Sequence, residues 1–202
     1  MDTNQLIDAL RTYATATIYE AMGKTGDVAP TIHAMVPGTT MIGIAYTVRT
    51  PIGQSRAFAQ AVDIARAGSV IVIDVEDSTL ATGWGGSASI AASRRGVAGV
   101  LTNGAVRDIE QIRTIGLPVF AAGISVRGAY RNDPGEQQVP VSVGGAAILP
   151  GDIIVGDADG VVVVPQRFFA TIVATARARH LRETDIDAKL TAGASYLDIT
   201  GG

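Results

Sequence analysis

The sequence predicts an α/β domain with mixed sheets and flanking N- and C-terminal helices. Three observations lead there. The central third alternates continuous apolar runs with short amphipathic stretches, the pattern of βαβ units around a covered parallel sheet. The last third holds shorter apolar runs divided by Gly-Gly, Pro-Gly and Asp-Gly, which read as antiparallel hairpins. Both ends of the chain repeat apolar residues at three-to-four spacing, the period of a helix.

Taken in order, Leu6, Ile7, Leu10, Ala14, Ile18, Ala21 and Met22 mark an opening helix, with a Thr-rich stretch at Thr15–Thr17 that can split it in two. Pro30 and Pro37-Gly38 mark loop. Met41–Arg49 is a strand rich in β-branched and aromatic residues. Ser55–Ala67 is an amphipathic helix, and Val70–Val75 is a buried strand. Gly83-Trp84-Gly85-Gly86 reads as a glycine-rich loop that opens a helix over Ser87–Arg95. Val97–Thr102 is a second buried strand closed by an Asn103-Gly104 turn, Val106–Ile115 a helix, and Leu117–Ala121 a third strand. A polar loop over Arg127–Gln138 is suited to covering a site or a subunit contact. Strands at Val139–Val143, Ala146–Leu149, Asp152–Val155 and Gly160–Val164 form the antiparallel layer, and from Arg167 the pattern is helical again. At 202 residues the expected organisation is one domain over 1–202.

Composition narrows the function. Hydrophobic residues make up 47% and charged residues 17%, which excludes disorder. A net charge of −3 offers no basic field for a phosphate backbone, so nucleic acid is not an expected partner. With no cysteine and two histidines, thiolate chemistry and multi-histidine metal sites are excluded. A bound metal would rest on carboxylates and water, as Mg2+ or Mn2+ do. No signal-like segment and no run near the ~18 apolar residues of a membrane span is present, so a cytoplasmic protein without membrane contact is expected.

Two segments carry candidate chemistry. The glycine loop leading into Ser87 and Ala88 follows a buried strand and an acidic stretch (Asp74, Glu76, Asp77). Its spacing matches G-x-G-x-x-A, but the next strand ends in Leu101-Thr102-Asn103-Gly104 without the acid that a ribose needs. Three readings stand: a nucleotide site, disfavoured by that missing acid; a tight turn that seats the helix on the sheet; or an anion site in which helix N–H groups receive a small carboxylate. Arg107-Asp108 follows the next strand, where open α/β sheets place ligands. The arginine can clamp a carboxylate and the aspartate can hold a hard cation; alternatively the two are a surface ion pair at a helix start. Asp157 and Asp159 read as turn formers, and His33 and His180 as surface or interface residues. Trp84 either walls a pocket or covers the glycine turn.

The ordered motifs Gly83-Trp84-Gly85-Gly86, Arg94-Arg95-Gly96-Val97-Ala98-Gly99-Val100, Asn103-Gly104-Ala105-Val106-Arg107-Asp108, Pro150-Gly151-Asp152 and Asp157-Ala158-Asp159-Gly160 through Pro165 resemble the RraA-like family. That family includes class II 4-hydroxy-4-methyl-2-oxoglutarate/4-carboxy-4-hydroxy-2-oxoadipate aldolases and the regulator of ribonuclease activity A. The resemblance implies a swivelling β/β/α fold and homotrimers or homohexamers with active sites between subunits. It also implies divalent-metal-dependent cleavage of 2-oxo acids to pyruvate, with oxaloacetate decarboxylation as a companion reaction. By the same resemblance Arg107 is the catalytic and substrate-binding arginine, and Asp108 the metal carboxylate. Gly85, Gly86 and the amides of Ser87 and Ala88 would receive the substrate carboxylate. Glu183, on a C-terminal helical segment (about 167–202) at a subunit interface, would reach a neighbour's metal. The family's aldolases carry an acid 21 positions before the arginine. Here that position is Gly86, which favours decarboxylation over aldol cleavage, since decarboxylation needs no base to begin. The alternative role implied is a non-catalytic interaction protein of the ribonuclease-regulator kind.

Overall fold

The computed structural model describes residues 3–200, so the outermost positions of the expected 1–202 unit lie outside the described residues. Two helices open the chain, α1 (Thr3–Leu10) and α2 (Thr15–Ala21), divided near the Thr-rich stretch. Then come β1 (His33–Ala34), β2 (Met41–Arg49), α3 (Arg56–Ile64), β3 (Ser69–Asp74), β4 (Thr82–Trp84), α4 (Gly86–Arg94) and β5 (Gly99–Val106). The chain continues through α5 (Ile109–Ile115), β6 (Val119–Ile124), β7 (Glu136–Gln137), β8 (Val141–Val143), β9 (Ala146–Ile148), β10 (Ile153–Asp157) and β11 (Gly160–Val164). It closes with α6 (Phe169–Thr191) and α7 (Tyr196–Thr200).

One mixed sheet organises the fold, in the order β1-β6-β5-β3-β2-β10-β11. Its centre, β6-β5-β3-β2, is parallel, and β1, β10 and β11 add antiparallel edges. The sheet curls until its edges approach: Val28 N–H donates to Val161 O at 2.9 Å just before the chain enters β1. The concave face packs Val70, Val72, Leu101 and Phe120 against the β8-β9 hairpin. The convex face packs Val48, Ile71, Ile73 and Val100 beneath α3, α4 and α5. Both faces are therefore dry, which is why Val70–Ile73 reads as an unbroken apolar run rather than an alternating one. A third apolar cluster, including Leu10, Ile18, Ile153 and Phe169, seats α1, α2 and α6 on β10 and β11. Among the described residues no helix is long and apolar enough to cross a membrane.

Several expectations need correction. Asn103-Gly104 is not a turn: β5 runs through it to Val106, with an irregularity in its pairing to β6 between Thr102 and Ala105. The Asn103 side chain, 2% exposed, acts as a cross-strand bracket. It accepts the N–H of Val75 and donates to Asp74 Oδ1 and to Ser142 O. The helix expected from Val106 accordingly begins at Ile109. Part of the expected glycine loop is strand, since Thr82–Trp84 pairs with the end of β5. The four C-terminal strands are two hairpins in different sheets: β8-β9 stands alone, whereas β10-β11 extends the main sheet from β2. Asp157 does more than form a turn, because its carboxylate accepts both the N–H and Oγ1–H of Thr15 and anchors the start of α2.

Candidate active site

β5 ends at Val106, and the chain leaves the sheet at its carboxyl edge through Arg107 and Asp108. Asp108 adopts the left-handed conformation (φ 59°, ψ 41°) before α5, which short polar side chains tolerate better than most. Arg107 Nε lies 3.7 Å from Asp108 Oδ2, and the same oxygen accepts the backbone N–H of Gly86 at 3.0 Å. One carboxylate therefore faces the arginine and ties the start of α4 to the start of α5. Both side chains remain about half exposed, at 47% and 46%.

The start of α4 faces this pair. Gly85 is extended (φ −163°), so its backbone does not require glycine. Space does: a Cβ there would lie 2.9 Å from Asp108 Oδ2 and 3.2 Å from Arg107 Cγ. Gly86 N–H is engaged by Asp108, and Ser89 N–H by Gly85 O at 3.0 Å. Between them, the N–H groups of Ser87 and Ala88 sit in the first turn, where no intrahelical acceptor precedes them. The positive end of the helix dipole reinforces their attraction for an anion.

These groups meet in a cavity of about 320 Å³. Gly85, Ser87, Ala88, Arg107 and Asp108 line its polar side. Phe58 and Val62 of α3, together with Trp84, form the apolar side. Trp84 serves both roles posed for it. Its ring tilts against Phe58 at 5.8 Å, and its Nε1–H donates to Ser89 Oγ at 2.7 Å, which braces the glycine turn. Gly86 does not itself line the cavity, as its N–H points to Asp108 instead. Ala129 and Arg131, from the polar segment expected to cover a site, complete the lining. Phe58 and Arg131 are site residues that sequence reasoning did not single out. Phe58 carries the signature of any apolar helix position, and Arg131 that of a solvated loop.

The donor set bears on a divalent cation. Asp63 also lines the cavity, but Arg95 binds its Oδ1 at 2.9 Å and its carbonyl at 2.7 Å. Asp108 is the carboxylate that faces Arg107, and no group of three or more His, Cys, Asp or Glu stands together among the described residues. One carboxylate completed by water and substrate oxygens suits a magnesium-type cation, which keeps much of its hydration. Glu183 stands elsewhere, on α6, and does not line the cavity. Thr17 Oγ1–H donates to its Oε2 at 2.7 Å and Arg179 Nε–H to its Oε1 at 2.7 Å. Burial pushes the Glu183 carboxyl up, but these two hydrogen bonds and the charges of Arg179 and His180 outweigh it and hold the group below the usual carboxylate range. His180 is exposed and packs on Tyr13, and His33 is exposed as expected.

Comparison with known proteins gives the family. A protein of Halalkalibacterium halodurans named "Putative 4-hydroxy-4-methyl-2-oxoglutarate aldolase" is 32% identical over 196 residues, covering 95% of this chain and 93% of that one. The crystal structure of an uncharacterized protein from Pseudomonas syringae pv. tomato superposes with a TM-score of 0.89 at 31% identity, over 98% of this chain and 94% of the other. Streptomyces coelicolor RraAS2, described as an unusual member of the RNase ES inhibitor RraA protein family, superposes with a TM-score of 0.83 at 26% identity, over 94% of this chain and 100% of its own. The family model described as Aldolase/RraA matches residues 15–163, a span that contains the α4 start, Arg107 and Asp108, and the chain belongs to this RraA-like family.

Proposed function

We propose that the protein is a divalent-metal-dependent carbon–carbon lyase acting on small 2-oxo acids, by retro-aldol cleavage to pyruvate, oxaloacetate decarboxylation or both. The observation that carries this reading is the convergence of Arg107, Asp108 and the Ser87–Ala88 amides on one wall of one cavity. The aldolase name of the Halalkalibacterium halodurans relative, matched over nearly the whole chain, supports it.

The substrate carboxylate binds to the N–H groups of Ser87 and Ala88 and to the Arg107 guanidinium, whose planar fork matches two oxygens at once. Asp108 and water would hold Mg2+ or Mn2+, which supplies Lewis-acid polarisation of the 2-oxo group. As the C–C bond breaks, charge moves onto the substrate oxygens, and Arg107 with the amide pair stabilises it there without reorganising. Phe58, Val62 and Trp84 keep water from the opposite side and so strengthen those interactions. Asp108 Oδ2 also faces Arg107 Nε at 3.7 Å, a half-exposed ion pair.

A pyruvate-release assay over a panel of 2-oxo acids, with Mg2+ or Mn2+ and then with chelator, tests the proposal. Release that disappears with chelator is the expected result. No release from any 2-oxo acid overturns it in favour of the non-catalytic interaction role, a reading supported by the RNase-inhibitor description of the Streptomyces coelicolor neighbour.

A further inference from the structure

Trp84 and Ser89 form a buried polar pair whose direction follows from its chemistry. Trp84 is 1% exposed and Ser89 0%. An indole N–H only donates, so Ser89 Oγ is the acceptor of their 2.7 Å bond. The one hydroxyl proton then goes to Gly85 O, 3.1 Å away, where the Ser89 N–H also arrives at 3.0 Å. Local helix preference does not call for this serine. Alanine is the better helix former, and a hydroxyl bonded to the carbonyl four residues back slightly weakens a helix.

The Gly85 carbonyl belongs to the same peptide group as the Gly86 N–H, which donates to Asp108 Oδ2 at 3.0 Å. Two donors on that oxygen polarise the peptide and make its N–H a stronger donor, so successive bonds reinforce one another. The chain therefore runs one way, from the indole through the serine and the Gly85-Gly86 peptide to the carboxylate. Trp84 is fixed from the other side too: its carbonyl accepts the Arg107 N–H at 3.1 Å, and β4 pairs it with Val106. Among the described residues, both polar contacts of the Asp108 carboxylate fall on Oδ2, and Oδ1 is left to a ligand. Ser89 does not line the cavity, so it acts on a ligand there only through its neighbours.

We propose that the Trp84–Ser89 pair is a positioning device for Asp108, which strengthens the Gly86–Asp108 hydrogen bond, keeps Oδ2 on the protein and leaves Oδ1 to the cation. The cation part rests on the lyase reading, in which Asp108 holds the metal; the hydrogen-bond part does not. Neither residue of the pair reacts.

Mn2+ alone is the probe, titrated by calorimetry into wild type, Ser89→Ala, Trp84→Phe and the double variant. Melting temperatures and the amide proton resonance of Gly86 are recorded beside it. Ser89→Ala should weaken Mn2+ binding about three- to tenfold, less than the loss of a direct partner of a metal ligand, because a peptide group intervenes. The Gly86 amide proton should move upfield, the mark of a weaker hydrogen bond. With Trp84 present, the substitution also orphans a buried N–H and should lower the melting temperature. In the Trp84→Phe background it orphans nothing, so the melting temperature should hardly change while Mn2+ affinity still falls. A purely structural pair would not separate the two readouts. An affinity loss confined to one background, or absent from both, overturns the assignment and leaves the lyase reading standing. Wild type that binds no Mn2+ overturns the metal-dependent lyase reading. The Gly86 resonance then decides alone: an upfield move in Ser89→Ala supports the hydrogen-bond chain, and an unmoved one overturns it as well.

Discussion

Gly86 and Asp108 are joined by one hydrogen bond, from backbone N–H to Oδ2 at 3.0 Å, that crosses from the start of α4 to the start of α5. It matters because the two helices carry different parts of the site: α4 brings the amide pair, and the turn before α5 brings Arg107 and Asp108. The same carboxylate is the proposed cation ligand, so its charge and its structural role can be separated. Asp108→Asn does so. Asparagine tolerates φ near 60°, and its oxygen still accepts the Gly86 N–H, so the fold should be retained. A neutral amide is a poorer ligand for a hard cation, and Mg2+ or Mn2+ affinity should fall at least about tenfold. Calorimetric metal titration of both proteins decides it; equal affinities would leave Asp108 with the bracket role alone.

Arg107→Lys keeps the charge and removes the planar fork. Since Arg107 is about half exposed, thermal stability should be unchanged. The expected kinetic result is a loss in kcat/KM of tenfold or more, the equivalent of ~1.4 kcal/mol of transition-state stabilisation. Wild-type kinetics in this variant would remove Arg107 from the catalytic assignment.

How much of this site the sequence discloses depends on what each residue does. Arg107-Asp108 is legible because it follows a buried strand, and the carboxyl ends of parallel strands are where such sheets bind ligands. Ser87 and Ala88 are legible because glycines before a helix advertise free amides. Phe58 is not, since a phenylalanine on an amphipathic helix reads as core, and it does pack against the buried Trp84. Arg131 is hidden because its placement depends on Gln54, about 80 residues earlier in a different loop, and such pairing has no local signature. Asn103-Gly104 shows the reverse failure. That dipeptide is a strong turn signal, yet its asparagine is buried as a bracket between β3, β5 and β8, and tertiary context prevails over local propensity.

Glu183 gives a prediction in pH. Its carboxyl lies below the usual range in the folded chain, held there against burial by Arg179 and Thr17. A depressed folded value means that the ionised group favours the folded state above its unfolded pKa, and that this contribution is lost as pH falls through the folded value. Glu183→Gln should therefore lower the melting temperature at pH 7, and the difference from wild type should shrink below about pH 4.5, the usual carboxylate range. A difference that stays constant from pH 7 to pH 3 would show that charge has no part in it.

Helix α6 bears on assembly. Its first half buries Phe169, Ile172, Val173 and Ala176, whereas Leu181 further along is 61% exposed and Leu197 of α7 is 76% exposed. A helix of 23 residues extends about 35 Å, beyond the β10-β11 surface that its first turns cover. We expect the functional unit to be a trimer or a dimer of trimers, with this segment at a subunit contact. Light scattering at micromolar concentration measures it directly, and a monomer would leave Glu183 no route to a neighbour's site.

The last prediction concerns the position where the resemblance places an acid and this chain has Gly86. No left-handed strain stands in the way of a side chain, because Gly86 is the first residue of α4 and its φ is not positive. The obstacle is Gln111: a Cβ on Gly86 would fall 1.8 Å from its Oε1 and 2.5 Å from its Cδ, with Asp108 Cβ at 3.2 Å. Gln111 is exposed, and its amide is the far end of a flexible chain that a rotamer change can withdraw. Gly86→Asp should fold, with a slightly lower melting temperature, and Gly86→Asp with Gln111→Ala should recover that loss. The new carboxylate would stand beside Asp108, where it could serve as the proton acceptor that the site otherwise lacks. Retro-aldol cleavage needs such a group to take the hydroxyl proton, an effect typically worth about 10²–10⁴-fold when geometry is ideal. With an unoptimised rotamer, a modest gain is expected in pyruvate release from a 4-hydroxy-2-oxo acid. Oxaloacetate decarboxylation, which loses carbon dioxide without a base, should change little. Side-by-side rates on the two substrates give the answer. A folded, metal-binding double variant with no gain on the hydroxylated acid would mean that Gly86 is not the vacant acid position, and the proton acceptor would have to be sought on another wall of the cavity.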